Sequence, residues 1–138
     1  MRKIANVFVT FIFLFYITAC EKNSATTTNY SYIKYETIYF NSPAGILVSN
    51  YVNNSDDVTH STKTNPLVNM EFTTGPVKKG FEANMKTVVE SLFGVSEFNI
   101  TQNIYGSTDG NTYKLIKSKS TNLKTLPKDS AQISYTVE

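Results

Sequence analysis

The sequence lacks most of the residue types on which metal sites and many catalytic sites depend. Its 138 residues include no tryptophan, one cysteine (Cys20), one histidine (His60) and one arginine (Arg2). Zinc sites take roughly three or four ligands, mostly histidine and cysteine, and bidentate clamps for phosphate use arginine. The composition therefore argues against zinc-binding, disulfide-stapled and phosphate-binding proteins, and we expect no cofactor.

The one long apolar stretch lies at the amino terminus. Arg2 and Lys3 precede an almost purely apolar run over residues 7–17, and small residues follow as far as Ala19. A basic start, an apolar centre and a small residue at the end are typical of a secretory signal peptide. A membrane-spanning helix is the alternative, but such a helix needs about 20 apolar residues, and this run is shorter. We therefore predict a signal peptide over residues 1–19.

The residues around Cys20 carry a more specific signal. The run Ile17-Thr18-Ala19-Cys20 resembles the lipobox of bacterial lipoproteins, in which a large aliphatic residue and two small ones precede a cysteine. The resemblance implies cleavage between Ala19 and Cys20, a diacylglycerol thioether on the Cys20 sulfur and an acylated amino group. We accordingly expect the protein in a bacterial cell envelope, anchored to the outer or the cytoplasmic membrane through its acyl chains.

The chain after the signal divides into a tether and a domain. Residues 21–29 are small, polar and without periodicity, so 20–29 is predicted to be a flexible tether of ~15–18 Å. Residues 30–138 suffice for one domain with its own core. Of the 13 basic residues, Arg2 and Lys3 would leave with the signal, and the remaining 11 lysines balance 11 acidic residues. A neutral domain has no electrostatic footprint for nucleic acid, so no such partner is expected.

From residue 30 onwards the pattern favours β-strands. Alternating apolar and polar residues between turn residues predict eight strands. They cover 30–40, 46–53, 57–64, 68–72, 81–89, 98–104, 112–120 and 131–137. A helix over 82–93 is the alternative for the fifth strand. In the seventh strand, Lys117 and Lys119 share the parity of Leu115, so the far end of this strand is expected to be exposed. Seven or eight short strands about a dozen residues apart predict an all-β fold, an antiparallel β-sandwich or small barrel.

Three stretches resemble small immunoglobulin-like β-sandwich lipoproteins of bacterial envelopes, including the mycobacterial small membrane protein (MmpS-like) group. They are a tyrosine-rich opening strand at 32–36, a lysine-glycine turn into an alternating strand at 77–83, and a late hairpin at 99–117. The resemblance covers residues 30–138 and implies an immunoglobulin-like β-sandwich. It implies no catalytic residues, and the Pro-Trp pair usual in the group is missing here.

The best candidate for a binding site is the predicted hairpin loop over 105–111, which has a glycine near each end. Tyrosine is enriched at recognition surfaces, and loops on a rigid sandwich are where such folds carry binding. We predict a partner-binding loop that contains Tyr105, Ser107, Thr108, Asp109 and Tyr113. The alternative is that the tyrosines are simply good strand residues.

His60 is the only candidate for acid–base chemistry that uses a histidine. Asp56 and Asp57 lie close to it in the chain, but aspartates beside asparagine and serine usually form turns. The Gly-x-Ser-x-Gly nucleophile elbow does not occur. We therefore expect a non-enzymatic module that binds a protein or an envelope component. An inhibitor or immunity lipoprotein that blocks a toxin or hydrolase is one alternative, and a small hydrolase centred on His60 is another.

Overall fold

The computed structural model describes residues 29–40, 45–56, 58–64, 69–91, 97–124 and 128–138. Four predicted features lie outside these ranges: the signal peptide over 1–19, the predicted lipidation site Cys20, the predicted tether up to residue 28, and Asp57. Within them we find no helix with the length and apolarity that a membrane span requires.

Eight strands form in the described part of the chain. They are β1 Tyr32–Phe40, β2 Ile46–Asn53, β3 Thr59–Thr64, β4 Met70–Thr74, β5 Glu82–Ser91, β6 Phe98–Ser107, β7 Lys114–Leu123 and β8 Lys128–Thr136. The prediction for β2 is confirmed residue for residue. The predicted strand over 81–89 is confirmed from residue 82 onwards, and the alternative of a helix over 82–93 is wrong where the structure describes it, because 82–91 is β5. The seventh strand begins two residues later than predicted and continues to Leu123.

The strands form two antiparallel sheets of four. Sheet A has the order β4-β1-β6-β7, and sheet B has the order β3-β2-β5-β8. Every pairing within the sheets is antiparallel. The prediction of an all-β, sandwich-like fold is confirmed. The edge strands are β4 and β7 in sheet A and β3 and β8 in sheet B.

Alternation along β1 shows how the sequence separates the core from the surface. Ile33, Tyr35 and Thr37 are fully buried between the sheets, whereas Lys34 and Glu36 point outwards from sheet A. This follows from the period of two in a strand. The buried Tyr35 hydroxyl donates to the Asn53 carbonyl oxygen at 2.9 Å, and burial raises the pKa of this phenol. Lys34 and Glu36 therefore remain on the outer face, where they are available to a binding site.

A belt of buried polar side chains divides the apolar core. The apolar core consists of two clusters of buried side chains, and both clusters draw on strands of both sheets. Four of the strands each place one buried polar residue between the two clusters: Thr37, Asn50, Thr87 and Gln102. The Thr87 hydroxyl donates to Asn50 Oδ1 at 2.9 Å, and Gln102 Nε2 donates to Thr87 Oγ1 at 3.0 Å. Asn50 Nδ2 donates to the Tyr39 hydroxyl oxygen at 2.7 Å. These bonds connect both sheets, so they fix how one sheet lies over the other.

The β7–β8 side of the sandwich is closed by lysines. The register between β6 and β7 shifts at a β-bulge, where Lys117 is opposite Ile104 and Leu115 is opposite Tyr105. Ile116 is therefore the extra residue on β7. The predicted shared face of Leu115 and the two lysines is therefore wrong. Lys117 Nζ donates to the carbonyl oxygen of residue 134 at 2.8 Å, and Lys119 Nζ donates to that of residue 132 at 3.1 Å. These ammonium groups cover carbonyls of the β8 edge strand.

Candidate functional site

The predicted binding loop divides into two parts in the structure. Strand β6 continues to Ser107, so Tyr105 lies in the strand and the connection to β7 spans only residues 108–113. Tyr105 points outwards from sheet A beside Lys34, its partner on β1. The site therefore combines a strand face with a short loop.

On the strand face, Tyr105 is fixed by a carboxylate. Its hydroxyl donates to Glu36 Oε2 at 2.6 Å, and Asn103 Nδ2 donates to the same oxygen at 2.8 Å. The Ser118 hydroxyl in turn donates to Asn103 Oδ1 at 2.6 Å. Burial alone would raise the pKa of Glu36, but the bonds from Tyr105 and Asn103 and the charge of Lys34 lower it. The bond to Glu36, with burial, raises the pKa of Tyr105 to about 12.

Lys34 links the two predicted tyrosines. Its Nζ lies 4.6 Å from the centroid of the Tyr105 ring and 5.8 Å from that of the Tyr113 ring. A cation within about 6 Å of an aromatic face is attracted by the ring quadrupole. Tyr113 is the last residue of the loop before β7, so this lysine fastens the end of the loop to the sheet.

The loop itself is held by the side chains of Ser107 and Asp109. The Ser107 hydroxyl donates to Asp109 Oδ1 at 2.7 Å and accepts from the Gly110 amide at 2.9 Å. The amides of Asn111 and Thr112 each donate to Asp109 Oδ1 at 2.9 Å. These backbone bonds and the Ser107 hydroxyl lower the pKa of Asp109 to about 2. The side chain of Asp109 is therefore ionised near neutral pH and shapes the loop.

Asp109 and Tyr113 line an open groove of about 620 Å³ at this end of the sandwich, which we call the end groove. Its lining includes Tyr32, Asn54, Ser55, Thr73, Asp109 and Tyr113. Sheet A contributes the start of β1, the end of β4 and the β6–β7 loop, and sheet B contributes the turn after β2. The end groove therefore exists because four strand ends meet there.

Tyr32 fits into the groove because two glycines leave room for its ring. A Cβ atom on Gly75 would lie 2.4 Å from Tyr32 Cδ1, and one on Gly110 would lie 3.4 Å from the ring. Gly110 also has a φ of 76°, in the left-handed region that favours glycine. The ring can thus lie against backbone from both β4 and the loop. The sequence places Gly110 in the predicted hairpin loop but gives no sign that it meets Gly75 at one tyrosine.

The opposite wall of the groove is tied to β4. The Thr74 hydroxyl makes a short hydrogen bond to Asn54 Oδ1. The Ser55 amide donates to Thr74 Oγ1 at 2.7 Å. These bonds join the turn of sheet B to the end of a sheet A strand, so both walls of the groove are fixed. Thr108, the remaining residue of the predicted site, is exposed and does not line the groove.

His60 does not line the end groove and lies in β3, an edge strand of sheet B. Its ring stacks on Phe72 of β4, with centroids 4.4 Å apart and an angle of 16° between the planes. Asp56 accepts a bond from the Val58 amide at 3.4 Å, as expected of a turn residue. Among the residues that the structure describes, no group of three or more His, Cys, Asp or Glu side chains is arranged to hold a metal ion.

Three comparisons with known proteins found no match to this chain. No protein-family model matches the chain. Neither the curated proteins nor the solved structures with which it was compared gave a match. The resemblances to the lipobox and to the MmpS-like group therefore remain predictions, and the function has to be inferred from the site.

Proposed function

We propose that this protein is a lipid-anchored, non-enzymatic recognition module of a bacterial cell envelope. It binds a protein or an envelope component with the end groove and the adjoining face of Tyr105 and Tyr113. The observation that carries this proposal is that Lys34 lies against both tyrosine rings while Glu36 holds the Tyr105 hydroxyl. A half-buried aromatic pair is thus held in one arrangement on the outer face of sheet A.

A preformed arrangement of side chains favours binding, because a flexible surface loses conformational entropy when a partner orders it. Immobilising a side chain costs roughly 0.5–1.5 kcal/mol. At this site the Tyr105 hydroxyl is already bonded to Glu36, and both tyrosine rings already lie near Lys34. Tyrosine is also among the residues enriched where interfaces gain most of their binding energy. The bonds that Asp109 accepts from Asn111 and Thr112 extend this order into the loop. The combination supports recognition by a preformed surface.

The anchor is the second part of the proposal. The lipobox sequence supports acylation of Cys20, and each buried CH₂ of an acyl chain contributes about 0.8 kcal/mol to membrane binding. Strand β1 begins at Tyr32, which lines the end groove. The tether would therefore join the domain at its groove end, within ~20 Å of the bilayer. A binding surface in that position faces components at the membrane surface.

The immunoglobulin-like class is retained only in a broad sense. Two four-stranded antiparallel sheets, with connections that cross between them, support it. In the constant-type immunoglobulin domain the first two strands share a sheet, whereas β1 and β2 lie in different sheets here. We therefore propose no strand-by-strand equivalence with that domain.

Photo-crosslinking in intact cells tests the recognition surface. A photoreactive amino acid at position 113 should capture a discrete partner, because Tyr113 lines the groove. The matched control is position 51, since Tyr51 is 36% exposed on the outer face of sheet B. Equal capture at both positions, or none at 113, would contradict the proposed surface. Capture of a toxin or a hydrolase would identify the module as an inhibitor.

Membrane fractionation tests the anchor separately. Cys20→Ala removes the sulfur to which lipid would be attached, so the variant should leave the membrane fraction or accumulate as an uncleaved precursor. Ser24→Ala lies in the same predicted tether and should fractionate like the wild type. If Cys20→Ala also stayed in the membrane fraction as a processed chain, the anchor would be wrong.

A further inference from the structure

The end groove has the dimensions of a small-molecule site. Its volume of about 620 Å³ falls within the range of roughly 300–1,000 Å³ that ligand sites occupy. It is shallow and widely open to solvent, so an extended ligand can enter without a movement of the sandwich. Its walls are fixed by the Asn54–Thr74 and Ser107–Asp109 bonds. The shape suits one part of a longer chain as well as a free ligand.

The lining of the groove combines flat apolar surface with hydroxyls. Tyr32 and Tyr113 contribute the rings, and an aromatic ring gives an apolar face together with a polar tip. Ser55 and Thr73 contribute exposed hydroxyl groups, each of which can donate and accept hydrogen bonds. Asn54 adds a carboxamide. A ligand that matches this lining has apolar C–H faces and many hydroxyl groups.

The charges around the groove argue against a ligand with a net charge. Among the residues that line the groove, only Asp109 carries a charge near neutral pH, and it repels anions. Lys34 lies 5.8 Å from the Tyr113 ring. Its ammonium group would repel a second cation bound at the same ring. The carboxylate and the ammonium group have opposite signs, so this surface has no excess charge that would select an anion or a cation. Neutral ligands are therefore favoured.

We propose that the end groove binds a neutral saccharide, with a pyranose ring packed on Tyr113 and its hydroxyls bonded to Asn54, Ser55 and Thr73. This inference rests on the proposed function, since it names the ligand class of the same surface. Sugar rings present C–H groups on their faces and hydroxyls around their rims, which is the combination that the lining offers. No covalent step is involved.

Calorimetric titration of the full chain tests this inference. The protein is kept in a detergent without a sugar headgroup and is titrated with maltotriose, cellotriose and chitotriose. At least one trisaccharide should bind with a dissociation constant below about 1 mM. Tyr113→Ala should weaken that binding at least about tenfold, because it removes the ring on which the sugar packs. Tyr113→Phe keeps the ring and should change it by less than about threefold.

Two further variants keep the test decisive. Tyr51→Ala, on the outer face of the opposite sheet, should bind as the wild type does. Thr73→Trp changes an exposed side chain at the groove and should abolish binding by filling it, even if Tyr113→Ala fails to fold. Thermal unfolding monitored by circular dichroism reports whether each variant is folded.

The outcomes separate the saccharide from the recognition surface. Absence of binding by all three trisaccharides, or binding that survives both Tyr113→Ala and Thr73→Trp, overturns the saccharide proposal. If position 113 still crosslinks to a partner in cells in that case, the recognition surface stands and only the ligand class is wrong. If position 113 captures nothing either, both proposals fail.

Discussion

The buried polar belt gives the sharpest prediction about stability. Asn50 is 1% exposed and makes three hydrogen bonds. Its Oδ1 accepts from the Thr37 hydroxyl at 3.3 Å and from the Thr87 hydroxyl at 2.9 Å. Its Nδ2 donates to the Tyr39 hydroxyl at 2.7 Å. Asn50→Ala removes all three at once. Each such bond contributes roughly 1 kcal/mol net, and buried groups that lose their partner add to the loss. We expect the free energy of unfolding to fall by about 3 kcal/mol.

A domain of this size should then melt about 12 °C lower, at ~4 °C per kcal/mol. Asn84→Ala is the matched control. Asn84 accepts a single bond from Gln132 on the solvent side of sheet B, at 2.9 Å, so its loss should cost about 0.5 kcal/mol or less. Urea unfolding followed by circular dichroism measures both variants. Equal losses for Asn50→Ala and Asn84→Ala would refute the idea that the belt stabilises the packing of the two sheets.

Three further predictions follow from the edge, the loop and the tyrosine face. Replacing Lys117 and Lys119 together by alanine should increase self-association in sedimentation experiments, because uncovered carbonyls of an edge strand can pair with another chain; Lys124→Ala should not. The folded-state pKa of Asp109 is about 2, below its ordinary 3.8, so its contribution to loop order is present above pH ~4 and is lost as the pH falls towards ~2. Asp109→Asn should remove that pH dependence from the Thr112 amide signal in NMR spectra. Tyr105→Phe should raise the pKa of the carboxyl group it contacts in an NMR titration, and an unchanged value would contradict the bond seen here.

Local patterns were enough to predict most of the strands. Residues 46–53 form β2 as predicted, because their alternation and the turns on either side act within one strand. No local pattern in the sequence indicates the bulge opposite residue 104. This bulge places Leu115 and Lys117 on opposite faces of the sheet. Such a bulge depends on how β6 and β7 pair. Alternation within a single strand therefore cannot predict it.

The candidate site was predicted in part for the same reason. Tyr105 and Tyr113 were chosen from residue type and loop position, and the structure brings both to Lys34. Tyr32 and Thr73 were missed as site residues because they belong to strands far apart in sequence. They meet only when β1 and β4 pair and both end beside the β6–β7 loop. The groove is thus a property of the topology, which depends on long-range pairing.

The measurement that tests the account most directly is the crosslinking yield at position 113 relative to position 51 in living cells. If a preformed surface at the groove end recognises an envelope component, a discrete adduct forms at 113 and is weak or absent at 51. Adding Tyr105→Phe should reduce the yield without unfolding the chain, because the Glu36 carboxylate then loses a donor. Indistinguishable adducts at the two positions would show that this surface is not where the protein binds.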